Sequence, residues 1–338
     1  MAMASIRDVA KKANVAACTV SRVLNNSGYV APETRDKIEK AIKELNYIPN
    51  ELARGMFRQK AGIIAMLVPN IVHPFFSTLA SYIEKELYKN GYKLMLCSTD
   101  DDIKKEKDYM ETLKSNIVDG VISGVSNLKV KEYKDFNKPL VMLDCIINPK
   151  IPVVASNHKL GGELAARKFI ESGCKNVIHI CDTKATKVLS YQCHVSLEKI
   201  LKSNNIEATA IEIKWNDFDF EGYLKLAKKV LMENERIDGV FAADMPASAF
   251  LKAAVQLNKS VPKDFCVVAY DGTYTTNSNI LNITTVVQQV SIIASKAVEN
   301  ILALIEEGKI IESYTEVDIY LREGETSFKS IGNQSFSP

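Results

Sequence analysis

Apolar residues recur at helical spacing in three short stretches of the first 47 residues. Ile6, Val9, Ala10 and Ala13 share one helix face; Ser5 is placed to cap that helix and Asp8, three residues on, to bond back to the Ser5 backbone. A second helix is predicted over AACTVSRVLN, with Val20, Val23 and Leu24 inward and Ala17, Cys18, Ser21, Arg22 and Asn25 pointing elsewhere. A third covers APETRDKIEKAIKELN, with Pro32 at its first position and Ile38, Ala41, Ile42 and Leu45 as its apolar stripe. From residue 61 the rhythm changes. The short apolar runs GIIAMLVP, YKLMLCS, DGVISG and PLVMLD alternate with the amphipathic stretches FFSTLASYIEKELYKNG and KKEKDYMETLKS. After GGELAARKFIESG the alternation resumes with NVIHICD, TAIEIKW, DGVFAAD and FCVVAYD. The runs read as buried parallel strands, and the whole as two doubly wound α/β halves behind an all-α headpiece.

Two short helices joined by a tight turn and braced by a third form a helix-turn-helix unit. Its second helix presents small and polar side chains outward, a surface that can enter a major groove, where base edges are read by Arg, Ser, Thr and Asn. Charge strengthens this reading. Residues 1–60 hold 11 Lys/Arg against 6 Asp/Glu, a balance of +5, whereas the remaining 32 against 35 give −3. A basic segment on a slightly acidic body suits a polyanion as partner.

Other classes lose ground. No run of eighteen apolar residues exists to span a membrane, and MAMASIRDVAKKA lacks the apolar core of an export signal, so a cytoplasmic protein is expected. The 7 cysteines are odd in number, scattered and without a CxxC pair, which reads as reduced thiols. There is no GxGxxG, no P-loop and no nucleophile elbow. His73, His158, His179 and His194 offer no metal-ligand spacing, and Asp100–Asp102 reads as a solvated loop. No cofactor is expected. In two-lobed α/β folds the ligand sits beyond the strand C-termini, which singles out His73, Phe75, Phe76, Asp144, Trp215, Asp244 and Asp271.

The stretch IRDVAKKANVAACTVSRVLNNSGYVAPETRDKIEKAIKELNYIPNELAR resembles the headpiece of LacI/GalR-family bacterial transcription regulators, and the resemblance continues more weakly to about residue 325. It implies DNA contacts at Thr19, Ser21, Arg22 and Asn25, operator choice at Ala17, Cys18 and Arg22, loop contacts at Tyr29 and Val30, and contacts from Ser5, Ile6 and Arg7. It also implies that YIPNELARGMF is a hinge helix, with Asn50, Ala53 and Arg54 matching the family pattern and Met56 as an apolar wedge for the minor groove. Ala16 stands where the family has a capping Ser, a loss of about 1 kcal/mol, with Asn14 as a substitute cap.

In the body, the resemblance implies a periplasmic-binding-protein-like effector domain whose pocket includes Phe75, Asp144, Trp215, Asp271 and Gln288. Cys193 takes the place of the family's effector-clamping Arg, and His194 and Tyr191 stand beside it. The implied layout is a DNA-binding domain at 1–48, a hinge at 49–60, an N-terminal lobe at 61–157 and 287–319, a C-terminal lobe at 158–286 and 320–330, and a flexible tail at 331–338. The function expected is a dimeric repressor of carbohydrate-metabolism genes. It would bind a pseudo-palindromic double-stranded operator under control of a sugar or sugar derivative, with room for a corepressor protein. A sugar-binding transport protein is the alternative, but it has no use for a helix-turn-helix.

Overall fold

A computed structural model describes residues 4–47, 60–115, 117–125, 127–128, 130–182, 188–213 and 219–328. The main division of the chain into two compact units falls between Gly62 and Ile63.

The first unit holds α1 (Ile6–Ala13), α2 (Ala17–Asn25) and α3 (Pro32–Glu44) around Val9, Ala10, Ala13, Val20, Val23, Ile38 and Ala41. The capping box at its start is formed: the Asp8 amide donates to Ser5 Oγ at 3.3 Å and the Ser5 amide to Asp8 Oδ2 at 2.8 Å. The substitute cap expected for α2 is absent. Ala16 leads that helix with extended backbone (φ −68°, ψ 147°) and no side-chain bond. Asn14 is committed elsewhere: at φ 52° it closes the C-terminus of α1, its amide facing the carbonyls of Ala10 and Lys11. Ala17 does not point away from the core but is half-buried and packs against it.

The second unit is two lobes. One sheet runs in the order β11 (Tyr314–Val317), β5 (Val153–Ser156), β4 (Leu140–Leu143), β3 (Gly120–Ser123), β1 (Ile63–Val68), β2 (Lys93–Ser98), all parallel. The other runs β12 (Ile319–Arg322), β10 (Thr284–Gln288), β9 (Cys266–Asp271), β8 (Gly239–Ala243), β6 (Asn176–Cys181), β7 (Glu207–Glu212), parallel except for β10–β12. Helices α4 (Pro74–Lys89), α5 (Ile103–Leu113), α6 (Val130–Lys134) and α11 (Val290–Glu306) belong to the first lobe. Helices α7 (His158–Glu171), α8 (Gln192–Ser203), α9 (Phe220–Glu233) and α10 (Asp244–Gln256) belong to the second. Ile293, Ala297 and Ile301 of α11 pack on Ile64, Met66 and Ile83, so the chain returns to its first lobe after building the second. It crosses between lobes at 156–158, 288–290 and 317–319.

Two runs read as buried strands are sheet edges instead. β2 and β7 carry exposed residues along their length because each has a neighbour on one side only. β5, β10 and β11 were not among the runs picked out by hydropathy: four- and five-residue segments interrupted by Ser and Thr carry a weak signal.

Candidate functional site

On the headpiece, Arg7, Cys18 and Arg22 are exposed, and Tyr29 is 85% exposed at the tip of the α2–α3 connection. Thr19, Ser21 and Asn25 are half-buried on α2, with Asn25 Nδ2 donating to Ser21 Oγ at 3.2 Å. Ser5 Oγ donates to Asp8 at 2.7 Å, so its hydroxyl proton is engaged within the capping box. Ile6, Ala17 and Val30 rest against the headpiece core and offer a surface only with what remains. Asn50, Ala53, Arg54 and Met56 lie outside the described residues.

In the body, a cavity of about 180 Å³ opens between the two lobes at the C-terminal ends of both sheets. It brings together seven residues singled out from the sequence: His73, Phe75, Phe76 and Asp144 from the first lobe, and Cys193, Asp271 and Gln288 from the second and its crossover. Tyr191 and His194 line it too; Trp215 lies outside the described residues. His73 caps α4, its Nδ1 accepting from the Phe75 amide at 3.2 Å, which presents Phe75 and Phe76 edge to face at 5.3 Å between centroids. Cys193 and His194 reach the cavity because α8 packs tightly on α7. A side chain at Gly162 would collide with the Cys193 carbonyl and Ser196 Oγ, and Ser196 Oγ donates to the Lys159 carbonyl at 2.8 Å.

Both candidate acids have positive φ at a strand end, Asp144 just past β4 at 58° and Asp271 as the last residue of β9 at 102°, where L-residues are rare and tight tethering is required. Asp271 Oδ1 accepts from Gln288 Nε2 at 2.8 Å, and Gln288 Oε1 accepts from Ser156 Oγ at 2.7 Å, a chain that joins the ends of β9, β10 and β5. Asp144 is reached from behind by His158 Nε2 at 2.5 Å, and the other ring nitrogen meets the Tyr270 hydroxyl at 2.5 Å. Asp244, expected near the ligand, is turned to structure: its carboxylate accepts from the amides of Gly272 (3.2 Å) and Thr273 (2.7 Å) and from Thr273 Oγ1 (2.6 Å), pinning the loop after Asp271.

Burial sets the charge state of this wall. It raises the Asp271 carboxyl well above its ordinary range, helped by Asp244 and Asp144 nearby. It lifts Asp244 to about 6 against the pull of the Thr273 bonds, and the Cys193 thiol well upward. It holds His73 down at about 4, and His194 at about 3 with His179 and His158 adding to the effect. His73, His194 and Cys193 therefore meet a ligand as uncharged hydrogen-bonding groups at neutral pH.

His158, Tyr270 and Ser156 were not singled out as ligand-site residues. His158 and Tyr270 are 112 positions apart, and no spacing along the chain joins them. Asp100 pairs with Lys105 at 2.6 Å and Asp102 caps α5, so that acidic loop is held by its own surroundings. Among the described residues no three ligand-type side chains converge for a metal, and no helix is long and apolar enough to cross a membrane.

The family described as "Bacterial regulatory proteins, lacI family" matches residues 5–50, and "Periplasmic binding protein-like domain" matches residues 166–327. The ribose operon repressor of Halalkalibacterium halodurans is 36% identical over 92% of this chain and 93% of its own. The sucrose operon repressor of Streptococcus mutans is 34% identical over 90% and 93%. Among solved structures, a periplasmic binding protein/LacI transcriptional regulator from Alkaliphilus metalliredigens, complexed with D-xylulofuranose, superposes with a TM-score of 0.72 at 27% identity, over 79% of this chain and all of its own. A helix-turn-helix headpiece followed by a two-lobed body, with relatives of this length and identity, leads to one conclusion: the chain belongs to the lacI family of bacterial regulatory proteins, DNA-binding regulators of transcription.

Proposed function

We propose that this regulator is a homodimeric repressor of carbohydrate-metabolism genes, acting in the cytoplasm on a pseudo-palindromic operator. In this reading Ser5, Ile6, Arg7, Ala17, Cys18, Thr19, Ser21, Arg22, Asn25, Tyr29 and Val30 form the DNA surface. Asn50, Ala53, Arg54 and Met56 belong to a hinge that enters the minor groove. The effector is a sugar or sugar derivative held by His73, Phe75, Asp144, Cys193, Asp271 and Gln288, with Trp215 as a stacking platform. The carrying observation is the interlobe cavity, because seven residues chosen from the sequence converge on it from both lobes. The relatives' names, ribose and sucrose operon repressors, and the D-xylulofuranose in the A. metalliredigens structure support a sugar. A second copy of the chain has an edge to pair with: β2 is unpaired on one side, with Leu96 exposed and Tyr88 exposed on the neighbouring α4. A ligand touching both lobes shifts their equilibrium by its difference in affinity between the open and closed states.

The test is a mobility-shift titration of the full chain on DNA from upstream of its own gene, with and without D-ribose, D-xylulose and sucrose. Footprinting should find an inverted repeat, and one sugar should change the DNA affinity at least tenfold in the wild type but not in Asp144→Ala. An asymmetric footprint would remove the two-fold operator. A sugar response untouched by Asp144→Ala would place control on another surface, such as one that takes a corepressor protein.

A further inference from the structure

We infer that His158 is a positioning residue for the effector, holding the Asp144 carboxylate in place for the ligand and tying it to Tyr270 of the opposite lobe. This rests on the reading of the cleft as the effector site. It adds a residue that does not itself line the cavity.

The geometry is a three-membered relay. His158 is the first residue of α7, at the first lobe crossing, and its ring is buried (3% exposed). A carboxylate only accepts, so the ring nitrogen facing Asp144 Oδ1, Nε2, is the one that carries a proton. In the neutral ring Nδ1 is then the acceptor, and it takes the proton of the Tyr270 hydroxyl. Tyr270 lies in β9 with its ring buried against Phe241, edge to face at 5.7 Å. Its hydroxyl therefore needs a partner, and His158 supplies it. The relay runs from the core of the second lobe to Asp144, whose side chain is 31% exposed and lines the cavity.

Asp144 is also gripped by its backbone. Its amide donates to the Val154 carbonyl at 3.1 Å, and its carbonyl accepts from the Leu189 amide at 2.9 Å, the latter from the second lobe. The backbone grips fix the main chain in its left-handed conformation, but they leave rotation about the Cα–Cβ bond open. His158 closes that freedom by holding Oδ1, and Oδ2 is the oxygen left to accept a ligand hydroxyl. A carboxylate fixed before binding loses less conformational entropy when the ligand arrives. Because Asp144 leaves β4 of one lobe and His158 and Tyr270 belong to the other, the same bond makes the ligand's acceptor sensitive to how the lobes are set.

Two substitutions separate this role from plain packing. His158→Asn is too short to reach Asp144 but keeps an acceptor near the Nδ1 position for Tyr270. His158→Gln places an amide donor near the Nε2 position and restores the bond to Asp144. The full chain is screened by thermal shift with D-ribose, D-xylulose and sucrose, and the tightest binder is measured by titration calorimetry. Expected is a Kd raised at least tenfold in His158→Asn and within threefold of wild type in His158→Gln, and less than twofold between the two in an Asp144→Ala background. If His158→Asn fails to fold, His158→Ser replaces it with the same expectation. Equal affinities for the Asn and Gln variants, or a difference that persists at full size without the Asp144 carboxylate, overturn the inference and leave the cleft standing. If no sugar of the panel binds, or binding is indifferent to Asp144→Ala, the cleft reading itself falls and takes the inference with it.

Discussion

Asp144 and Arg22 represent two ways a side chain is made ready. Asp144 is locked by three partners in two lobes, whereas Arg22 is exposed on α2. An exposed guanidinium on a groove-entering helix can pair with both acceptors of a guanine, a contact worth about 1–3 kcal/mol of discrimination. Arg22→Ala should flatten sequence preference at one position of each half-site, as read by binding to a panel of single-base operator variants. A uniform loss across the panel, with a shallower salt dependence, would reassign Arg22 to phosphate. Positions at a strand end are legible in a sequence because α/β sheets open their clefts there, and His73, Phe75, Asp144 and Asp271 do line the interlobe cavity. The His158–Tyr270 bond was illegible for the complementary reason: it is a tertiary pairing with no period and no motif. The upward shift of the Asp271 carboxyl was equally hidden, since the burial that causes it cannot be read from a strand-end position.

Among the elements, the first two helices differ in how they begin. Ser5 and Asp8 satisfy the start of α1, while Ala16 leaves the start of α2 without a side-chain partner. Its backbone already has the extended conformation that a cap requires. Ala16→Ser should therefore stabilise α2 by about 1 kcal/mol. Hydrogen exchange on the full chain should show slower exchange for the amides at the start of α2, the first turn after residue 16. No change there would mean that the serine hydroxyl finds a different partner. Helices with charged outer faces and clear apolar stripes were the easiest elements to foresee. Strands were foreseen where they are central and continuous, as in β1, β8 and β9. The edge strands β2 and β7 were found but misjudged in burial, because hydropathy reports composition and not the number of neighbours.

For the molecule as a whole, the buried histidines link acidity to stability. His194 is half-buried by surface, but its ring is stacked on His179 at 5.2 Å and meets Phe241 at 5.5 Å, which is why it is starved of water. Its folded-state pKa of about 3 lies below the ordinary 6.5, so under acid the unfolded chain takes up a proton that the native state refuses. The stability it contributes is full above pH 6.5 and is lost as pH falls toward 3. Asp244, lifted to about 6, works in the opposite sense, because the native state keeps its proton where the unfolded chain has released it. A comparison of variants isolates one group from the other. Between pH 7 and pH 5, His194→Gln should lose less stability to urea than the wild type, by about 1–2 kcal/mol. Parallel losses in both proteins would show that the imidazole is not desolvated as the structure implies.

The three crossings between lobes set an order on how the protein is made. Helix α11 and strand β11 complete the first lobe, yet they lie beyond the whole of the second lobe in the chain. A ribosome adding about 5–20 residues per second takes on the order of ten seconds or more to pass from β5 to α11. Throughout that interval Met66, Ile83 and Leu87 lack the helix that will cover them. The second lobe, by contrast, wants only β12 to finish its sheet once β10 has emerged. The first lobe thus waits far longer between its first strand and its covering helix than the second lobe waits between any two of its central elements, and the nascent first lobe is a natural client for chaperones that shield apolar surface during synthesis.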